Sequence, residues 1–213
     1  MKVTIVGTGR MGRAIASRAV AGGHEVEFIA TYISKAQELA DKMMGEGSVQ
    51  AADLVQGDLV VLAVRYTEAP HVVRQYSDQL NGKVIVDPTN PVDFSIVEPL
   101  DGDWLGTFRS GGELIEAETP SDAAFVKAFN TNFAGPLLAG AVDGKPLDVF
   151  IAGDDDGAKA RAMQLVSDGG MRAIDAGRLV RAREVEAMAL LHMEIQGSQR
   201  TAFGSAIKVV LTR

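Results

Sequence analysis

The sequence contains no cysteine, which excludes a disulfide framework, a thiolate metal site and a cysteine nucleophile. It has more acidic than basic side chains, with a formal net charge of -7, and no basic stripe with interleaved aromatic residues, so we expect no nucleic-acid partner. No apolar run approaches the roughly 18 residues that a membrane-spanning helix needs. Residues 3–6 already have the pattern of a strand, which leaves no room for a secretory signal peptide. We therefore expect a soluble, cytoplasmic protein with no membrane partner.

Short apolar runs alternate with amphipathic patterns along the 213 residues, which are enough to bury a sizeable core. The run at 58–64 is apolar apart from its first residue, as in strands covered on both faces of a parallel sheet. Strands are predicted at 3–6, 25–30, 58–64, 83–87, 124–129, 147–152 and 171–175. Helices are predicted at 11–21, at 34–45 with Ser34 as the cap, and at 68–80, 115–118, 154–167 and 182–196. This alternation predicts right-handed βαβ units and hence an α/β fold with a doubly wound parallel sheet.

The first predicted strand is followed directly by Gly7-Thr8-Gly9-Arg10-Met11-Gly12, a G-x-G-x-x-G motif that also opens a helix. Gly7 would allow the tight turn, Gly9 would let a pyrophosphate approach the backbone, and Gly12 would let the helix pack closely on the strand. The start of the helix offers N–H groups and a positive dipole end to the phosphates. The motif therefore predicts a Rossmann-type dinucleotide site; the alternative is a glycine-rich turn with no ligand.

The residues at the end of the second predicted strand indicate whether the coenzyme is NAD(H) or NADP(H). NAD sites usually have Asp or Glu there, which accepts hydrogen bonds from the ribose, whereas this strand ends Phe-Ile-Ala-Thr-Tyr over 28–32. Nothing there repels a 2′-phosphate, and Thr31, Ser34 and Lys35 could contact it. We therefore expect NADP(H) rather than NAD(H), although Ser34 could be an ordinary helix cap and Lys35 a solvated cation.

Three other predicted strands end at the carboxyl edge of the sheet, where such sheets bind ligands. We assign Ala63, Val64, Arg65, Asn90 and Pro91 to the coenzyme and Thr89, Asn130, Thr131 and Asn132 to the substrate. Ordinary turn chemistry is the alternative for the Asn and Thr residues. Arg65 could contact either a coenzyme phosphate or an anionic acceptor, or it could be a surface arginine.

No acid–base pair is evident in the sequence, so no catalytic residue is assigned. None of the three tyrosines has a lysine four residues later, and carbonyl reduction would need a proton donor. The run at 154–156 fits capping of the following helix better than a calcium loop, and no metal site is expected. His192 shares an apolar helical face with Val185, Met188 and Ile195, so we expect it to be buried, and we expect that helix to be buried between two subunits of a homodimer.

The chain resembles the coenzyme F420-dependent NADP oxidoreductases. The resemblance rests on the order of GTGRMG, GHEV, LAVRYTEAP, VIVDPTNPV, FVKAFNT, DVFIAGDDDGAK and the turn at 174–177, followed by a terminal apolar helix and a closing segment at 203–211. It implies a Rossmann domain over 1–135, and a smaller C-terminal domain over 136–213 with the acceptor site and dimer contacts. It also implies NADP(H) as coenzyme and F420 as co-substrate.

Three pairs of residues depart from that family pattern. Ala30-Thr31 stands where members often carry Ser-Arg, Arg65-Tyr66 stands where a proline and an aromatic residue are common, and Asn130-Thr131 stands where members can carry His-Thr. The arginine that would bind a 2′-phosphate is therefore missing.

The expected function is hydride transfer between NADP(H) and a deazaflavin, which requires mainly positioning of the two rings. One rival is NADPH-dependent reduction of another small acceptor, such as a carbonyl, imine, quinone or flavin. The other rival is an NADP(H)-binding sensor without catalysis.

Overall fold

The computed structural model describes residues 1–43, 45–93, 95–100 and 109–210. Its strands are β1 (Lys2–Val6), β2 (Glu25–Ile29), β3 (Val49–Ala51), β4 (Leu59–Leu62), β5 (Val84–Asp87), β6 (Val92–Asp93), β7 (Glu98–Pro99), β8 (Ala124–Lys127), β9 (Ala141–Val142), β10 (Lys145–Pro146), β11 (Asp148–Gly153) and β12 (Arg172–Gly177). Its helices are α1 (Arg10–Ala21), α2 (Ile33–Met43), α3 (Ala69–Gln75), α4 (Ser77–Leu80), α5 (Gly111–Glu116), α6 (Ala134–Ala139), α7 (Asp156–Asp168) and α8 (Ala182–Gln199). Short 3-10 helices at Tyr66–Glu68 and Leu179–Arg181 precede α3 and α8.

Eight strands form one sheet in the order β12-β11-β8-β5-β4-β1-β2-β3. The six strands from β8 to β3 are parallel to one another. β11 pairs with β8 in the antiparallel direction, and β12 runs parallel to β11. The predicted Rossmann-type α/β fold is confirmed, with the difference that the last two strands run opposite to the rest.

Each face of the sheet has its own apolar core, because successive side chains of a strand point to opposite faces. Val3 and Ile5 of β1 pack in the cluster that contains the buried residues of α1, α2 and α7. Val60 and Leu62 of β4 pack on the other face, in the cluster that contains residues of α3. Helices on both faces make the sheet doubly wound.

Three predicted helices differ from the structure in their start or continuity, and α6 was not predicted. α2 begins at Ile33, so Ser34 lies inside the first turn and is not the cap. The predicted helix over 68–80 is interrupted at Tyr76 and divided into α3 and α4. The helix predicted at 115–118 is α5, which begins at Gly111 because Ser110 forms a capping box with Glu113.

Several short elements were not predicted, and one prediction extends beyond the described residues. β3 has three residues, while β6–β7 and β9–β10 form hairpins of two-residue strands. Leu211, the end of the predicted closing segment, lies outside the described residues. None of the helices in the described ranges is long and apolar enough to cross a membrane.

The predicted domain boundary at Gly135-Pro136 lies within α6. Residues on both sides of it contribute strands to the same sheet, since β8 pairs with β11. The division of the chain into two domains stays a prediction.

A fully buried lysine joins the carboxyl ends of two central strands. Lys127 Nζ, at the end of β8, donates to Asp87 Oδ2 at 2.7 Å and to the Thr89 carbonyl at 2.6 Å, and lies 2.8 Å from Glu186 Oε1 of α8. Burial alone would lower the pKa of Lys127, but the attraction of the two carboxylates outweighs it and raises the pKa above its usual value. The lysine is therefore charged at neutral pH, and all three of its hydrogens have a partner.

We expect Lys127→Met to lower the free energy of unfolding by about 3–5 kcal/mol, because it leaves two buried carboxylates without their counter-ion. Urea unfolding followed by circular dichroism measures the change. Lys42→Met is the matched control, since Lys42 is 58% exposed in its pair with Glu38, and it should leave the stability unchanged within error. Equal midpoints for the two variants would contradict a stabilising role of the buried group.

Candidate dinucleotide and acceptor site

The carboxyl ends of four neighbouring parallel strands, β1, β4, β5 and β8, meet at one edge of the sheet. Residues that follow these strands line a cavity of about 650 Å³, together with residues from α8 and from the segment after it. The sequence prediction that strand-end residues lie together is therefore fulfilled in the structure.

The glycine motif forms the turn between β1 and α1, where the backbone approaches the end of β4. Gly7 has a φ of +113°, and a Cβ built there would lie 2.2 Å from the Ala63 carbonyl oxygen. A Cβ at Gly12 would lie 2.3 Å from the Gly7 carbonyl oxygen, so neither position accepts a side chain. Gly9 is the N-cap of α1, its φ is ordinary, and a Cβ there would meet no described atom within 4 Å.

The open space at Gly9 fits a pyrophosphate. α1 begins with N–H groups that have no intrahelical partner, its cap residue has no side chain, and its first turn contains no acidic residue. These features favour an anion at the helix start through both hydrogen bonds and the helix dipole. The residues present therefore fit the phosphates of a dinucleotide.

The predicted 2′-phosphate contacts lie on the surface after β2. Thr31, Ser34 and Lys35 are all exposed, and none of them is among the residues that line the cavity. The absence of a carboxylate at the end of β2 and the exposed cation fit a phosphorylated ribose. The roles of these three residues stay predictions.

Three buried oxygens in the cavity lining have no hydrogen-bond partner among the described residues: Thr89 Oγ1, Asn130 Oδ1 and Asn132 Oδ1. The side-chain amides of Asn130 and Asn132 are oriented by hydrogen bonds that their nitrogen atoms donate. Asn130 Nδ2 donates to Asn90 Oδ1 at 2.9 Å, and Asn132 Nδ2 donates to the Asp148 carbonyl at 3.0 Å. Buried polar atoms without partners are costly, so these oxygens indicate a ligand that donates hydrogen bonds, such as a carboxamide.

A strained turn places the two asparagines. β8 ends at Lys127, and buried Phe129 has a φ of +65°, a left-handed conformation that is unusual for an aromatic residue. The Asn132 N–H donates to the Phe129 carbonyl at 3.0 Å and closes the turn. Strain of this kind is concentrated at functional sites, which supports a binding role for the turn.

The reversed direction of β11 brings its first residue, Asp148, to the same edge of the sheet. The Asp148 carboxylate accepts from Arg172 Nε and from the Val209 N–H, both at 2.8 Å, and it also pairs with Lys208. Burial would raise the pKa of Asp148, but these donors lower it below its usual value. Asp148 thus holds the segment after α8, whose residues Ala202 and Phe203 form one wall of the cavity.

His192 contacts both the turn after β8 and this C-terminal segment. Its Nδ1 lies 3.1 Å from the Thr131 carbonyl and its Nε2 lies 2.8 Å from Ser205 Oγ. Burial lowers the pKa of His192, although the contact with Thr131 acts in the opposite direction, so the imidazole is neutral at neutral pH. Since the carbonyl can only accept, Nδ1 carries the hydrogen. His192 is buried as predicted, and it does not line the cavity.

The cavity lining contains many of the predicted residues: Gly9, Arg10, Met11, Ala63, Val64, Arg65, Thr89, Asn90, Asn130 and Asn132. It does not contain Gly7, Thr8, Gly12, Thr31, Ser34, Lys35, Pro91 or Thr131. Their assignments to coenzyme and acceptor stay predictions.

Sequence reasoning missed the aromatic and apolar wall of the cavity. This wall consists of Tyr66, Pro88, Phe133, Ala134, Gly135, Met193, Ala202 and Phe203. Phe133 packs on His192 at 4.3 Å between ring centroids and meets the Phe203 ring edge-on at 5.1 Å. Phe133 could have been predicted as a lining residue because it directly follows Asn132. The sequence around Met193 and Phe203 contains no motif that would have predicted their position in the cavity.

Residues 2–91 match the family model described as NADP oxidoreductase, coenzyme F420-dependent. The F420-dependent NADP reductase of Methanothermobacter thermautotrophicus is 28% identical over 221 residues, which cover 95% of this chain and 93% of that protein. The crystal structure of an Arthrobacter sp. FB24 protein assigned as an F420-dependent NADP-reductase superposes with a TM-score of 0.82 at 28% identity, over 99% of this chain and 100% of the other.

Metalloreductase STEAP3 of Rattus norvegicus is 30% identical over 189 residues, which cover 89% of this chain. The chain spans 36% of the length of that relative.

We expect two alanine substitutions in the glycine turn to affect different properties, one NADPH affinity and the other thermal stability. Gly9→Ala should leave the melting temperature unchanged but weaken NADPH binding at least tenfold, because its methyl group occupies the space of the pyrophosphate. Gly12→Ala should lower the melting temperature, because its methyl group collides with the backbone of Gly7. Thermal denaturation without coenzyme and titration calorimetry measure the two effects. Wild-type NADPH affinity in Gly9→Ala would contradict the assignment of this turn to the phosphates.

Proposed function

We propose that this chain, which is similar to the coenzyme F420-dependent NADP oxidoreductases, is a member of that family and transfers hydride between NADP(H) and a deazaflavin acceptor. The resemblance predicted from the sequence motifs is confirmed by the family match and by the relatives. The chain is an oxidoreductase, and its coenzyme is NADP(H). The deazaflavin acceptor is supported above all by the cavity, whose predominantly apolar lining adjoins the glycine turn.

The protein's part in this reaction is to bind and orient two ring systems. When bound, the reduced nicotinamide supplies the hydride, and reduction of the acceptor takes one further proton from solvent. The turn at 7–12 would hold the pyrophosphate, and the unpartnered oxygens of Asn130 and Asn132 would orient the nicotinamide carboxamide. Phe133 and Phe203 would exclude water from the face of the acceptor ring.

The lining of the cavity supports this proposal over carbonyl reduction. The described residues that line it include no carboxylate, histidine or lysine, and Tyr66, a lining residue that could donate a proton, has Pro70 rather than a lysine four residues later. A ring acceptor that exchanges its proton with solvent does not require such a group.

A second candidate is reduction of a metal complex, which the 30% identity to a metalloreductase favours. In that case the apolar wall would hold the organic part of the complex or an intermediate carrier ring. Carbonyl, imine and quinone reduction, and coenzyme sensing without catalysis, are the remaining alternatives.

Exposed apolar residues on α8 are compatible with the expected homodimer. Leu191 and Ile195 lie one turn apart and are both exposed. The dimer stays a prediction.

An acceptor panel tests the proposed function. We expect the protein to oxidise NADPH with F420 at a rate at least tenfold above its rates with flavins, ferric chelates, carbonyls and imines, because only the deazaflavin combines ring size with obligate hydride chemistry. The absorbance of NADPH and of F420 measures each reaction. Preferential turnover of a ferric chelate would support the second candidate instead, and tight NADPH binding without any turnover would support the sensor.

We expect a preference for NADPH over NADH that depends on Lys35. Lys35→Ala should raise the KM for NADPH about tenfold and leave that for NADH unchanged, because an exposed ammonium group contributes about that much to binding a 2′-phosphate. Steady-state kinetics with both coenzymes measure the change, and Lys42→Ala, on the same helix, is the control. An equal effect on both coenzymes would place Lys35 elsewhere than at the 2′-phosphate.

A further inference from the structure

The rim of the cavity is positively charged in a protein whose net charge is negative. Among the described residues that line it, Arg10 and Arg65 are the charged side chains, and none is acidic. The whole chain carries 28 acidic against 21 basic side chains. Positive charges on the described lining, with no acidic side chain beside them there, raise the local concentration of anions.

The two arginines stand at different parts of the cavity. Arg10 is the first residue of α1, beside the open space at Gly9, and its position corresponds to the phosphates of the coenzyme. Arg65 follows β4 and adjoins Tyr66, which belongs to the aromatic part of the lining. Arg10 therefore corresponds to the coenzyme phosphates, and of the two contacts open to Arg65 from the sequence, its place beside the aromatic lining favours an anionic acceptor over the coenzyme.

The backbone of Arg65 is fixed, while its guanidinium is available. Arg65 is the N-cap of the 3-10 helix at Tyr66–Glu68, and its carbonyl accepts from the N–H groups of Glu68 at 2.9 Å and Ala69 at 3.1 Å. The side chain is exposed and forms no hydrogen bond or ion pair with a described residue. A guanidinium with five free donors on a rigid support is suited to bind phosphate or carboxylate in a bidentate manner.

The acceptor ring itself needs no cation. Flavin and deazaflavin rings are planar and largely apolar, and the apolar wall with Phe133 and Phe203 provides surfaces for them. The natural forms of these rings differ from their free ring-ribityl forms by a side chain with phosphate or carboxylate groups. With the ring on the aromatic wall, this side chain would extend toward the exposed part of the lining, to which Arg65 belongs.

We propose that Arg65 is a specificity-determining residue that binds the anionic side chain of the electron acceptor. The inference rests on the proposed function, and it names the acceptor class more narrowly: a tricyclic ring that carries phosphate or carboxylate groups.

Steady-state kinetics with two acceptors of identical redox chemistry test the proposal. One is F420, and the other is 8-hydroxy-5-deazariboflavin, its ring-ribityl form without the phosphate and carboxylate groups. The wild-type kcat/KM should be about tenfold higher with F420, and this advantage should decrease with added salt, since the interaction is exposed to solvent. Arg65→Gln should remove the advantage and its salt dependence, so that the ratio of the two kcat/KM values approaches one. Arg65→Lys should retain part of it, because the charge remains.

Arg13→Gln is the matched control. Arg13 is exposed on α1 and is not among the described residues that line the cavity, so its loss changes the net charge equally without changing the rim. It should leave the ratio of the two kcat/KM values unchanged.

Two results would overturn the proposal while the proposed function stands. In the first, Arg65→Gln raises the KM for NADPH equally with both acceptors, which would assign Arg65 to the coenzyme. In the second, both deazaflavins turn over and the ratio of their kcat/KM values is the same in the wild type and Arg65→Gln. Absence of turnover with either deazaflavin would instead contradict the proposed function, and the inference would fail with it.

Discussion

The buried ammonium group of Lys127 is the interaction on which the geometry of the site depends. It contacts Asp87 at the end of β5, Glu186 on α8 and the carbonyl of Thr89 in the turn that carries Asn90. Glu186 also accepts the N–H groups of Gly111 and Gly112, at 3.0 and 2.9 Å, which orients α5. A charge in such a low-dielectric environment is tolerated only when every partner is correctly placed, so the same group that stabilises the fold also fixes the floor of the cavity.

The site has two parts that originate differently. The parallel strands supply the glycine turn and the strand-end amides, as expected for a Rossmann-type sheet. The reversed strand β11 supplies Asp148 at the same edge, and Asp148 holds both Asn132 and the segment that carries Phe203. The part of the aromatic wall that contains Phe203 therefore depends on the reversed direction of β11, whereas Tyr66 and Phe133 follow parallel strands.

Most of the fold followed from patterns within short stretches of sequence. The apolar run at 58–64, the glycine motif and the helical periodicity at 182–196 are local signals, and the corresponding elements occur in the structure. The start of α5 was also encoded locally, in the Ser110–Glu113 capping box, but the sequence interpretation did not use it. Three-residue β3 and the reversal of β11 had no local signal, because a strand's direction and pairing are set by tertiary contacts.

The site was predictable to the extent that strand ends identify it. Ala63, Thr89 and Asn130 were found as strand-end residues, and Gly9 was found from the glycine motif. Met193 and Phe203 reach the cavity through the packing of α8, and Phe129 adopts a left-handed conformation that its residue type does not announce. These parts of the site could not be predicted, because they depend on contacts between residues distant in sequence and on backbone strain.

The close approach of Gly7 to Ala63 and of Gly12 to Gly7 has an evolutionary consequence. Main-chain atoms determine that half of the binding surface, so mutation can hardly vary it without loss of the fold. The opposite half consists of side chains such as Phe133, Met193 and Phe203, which can be exchanged one at a time. Related proteins can thus diverge in the side-chain half of the cavity while the main-chain half stays the same.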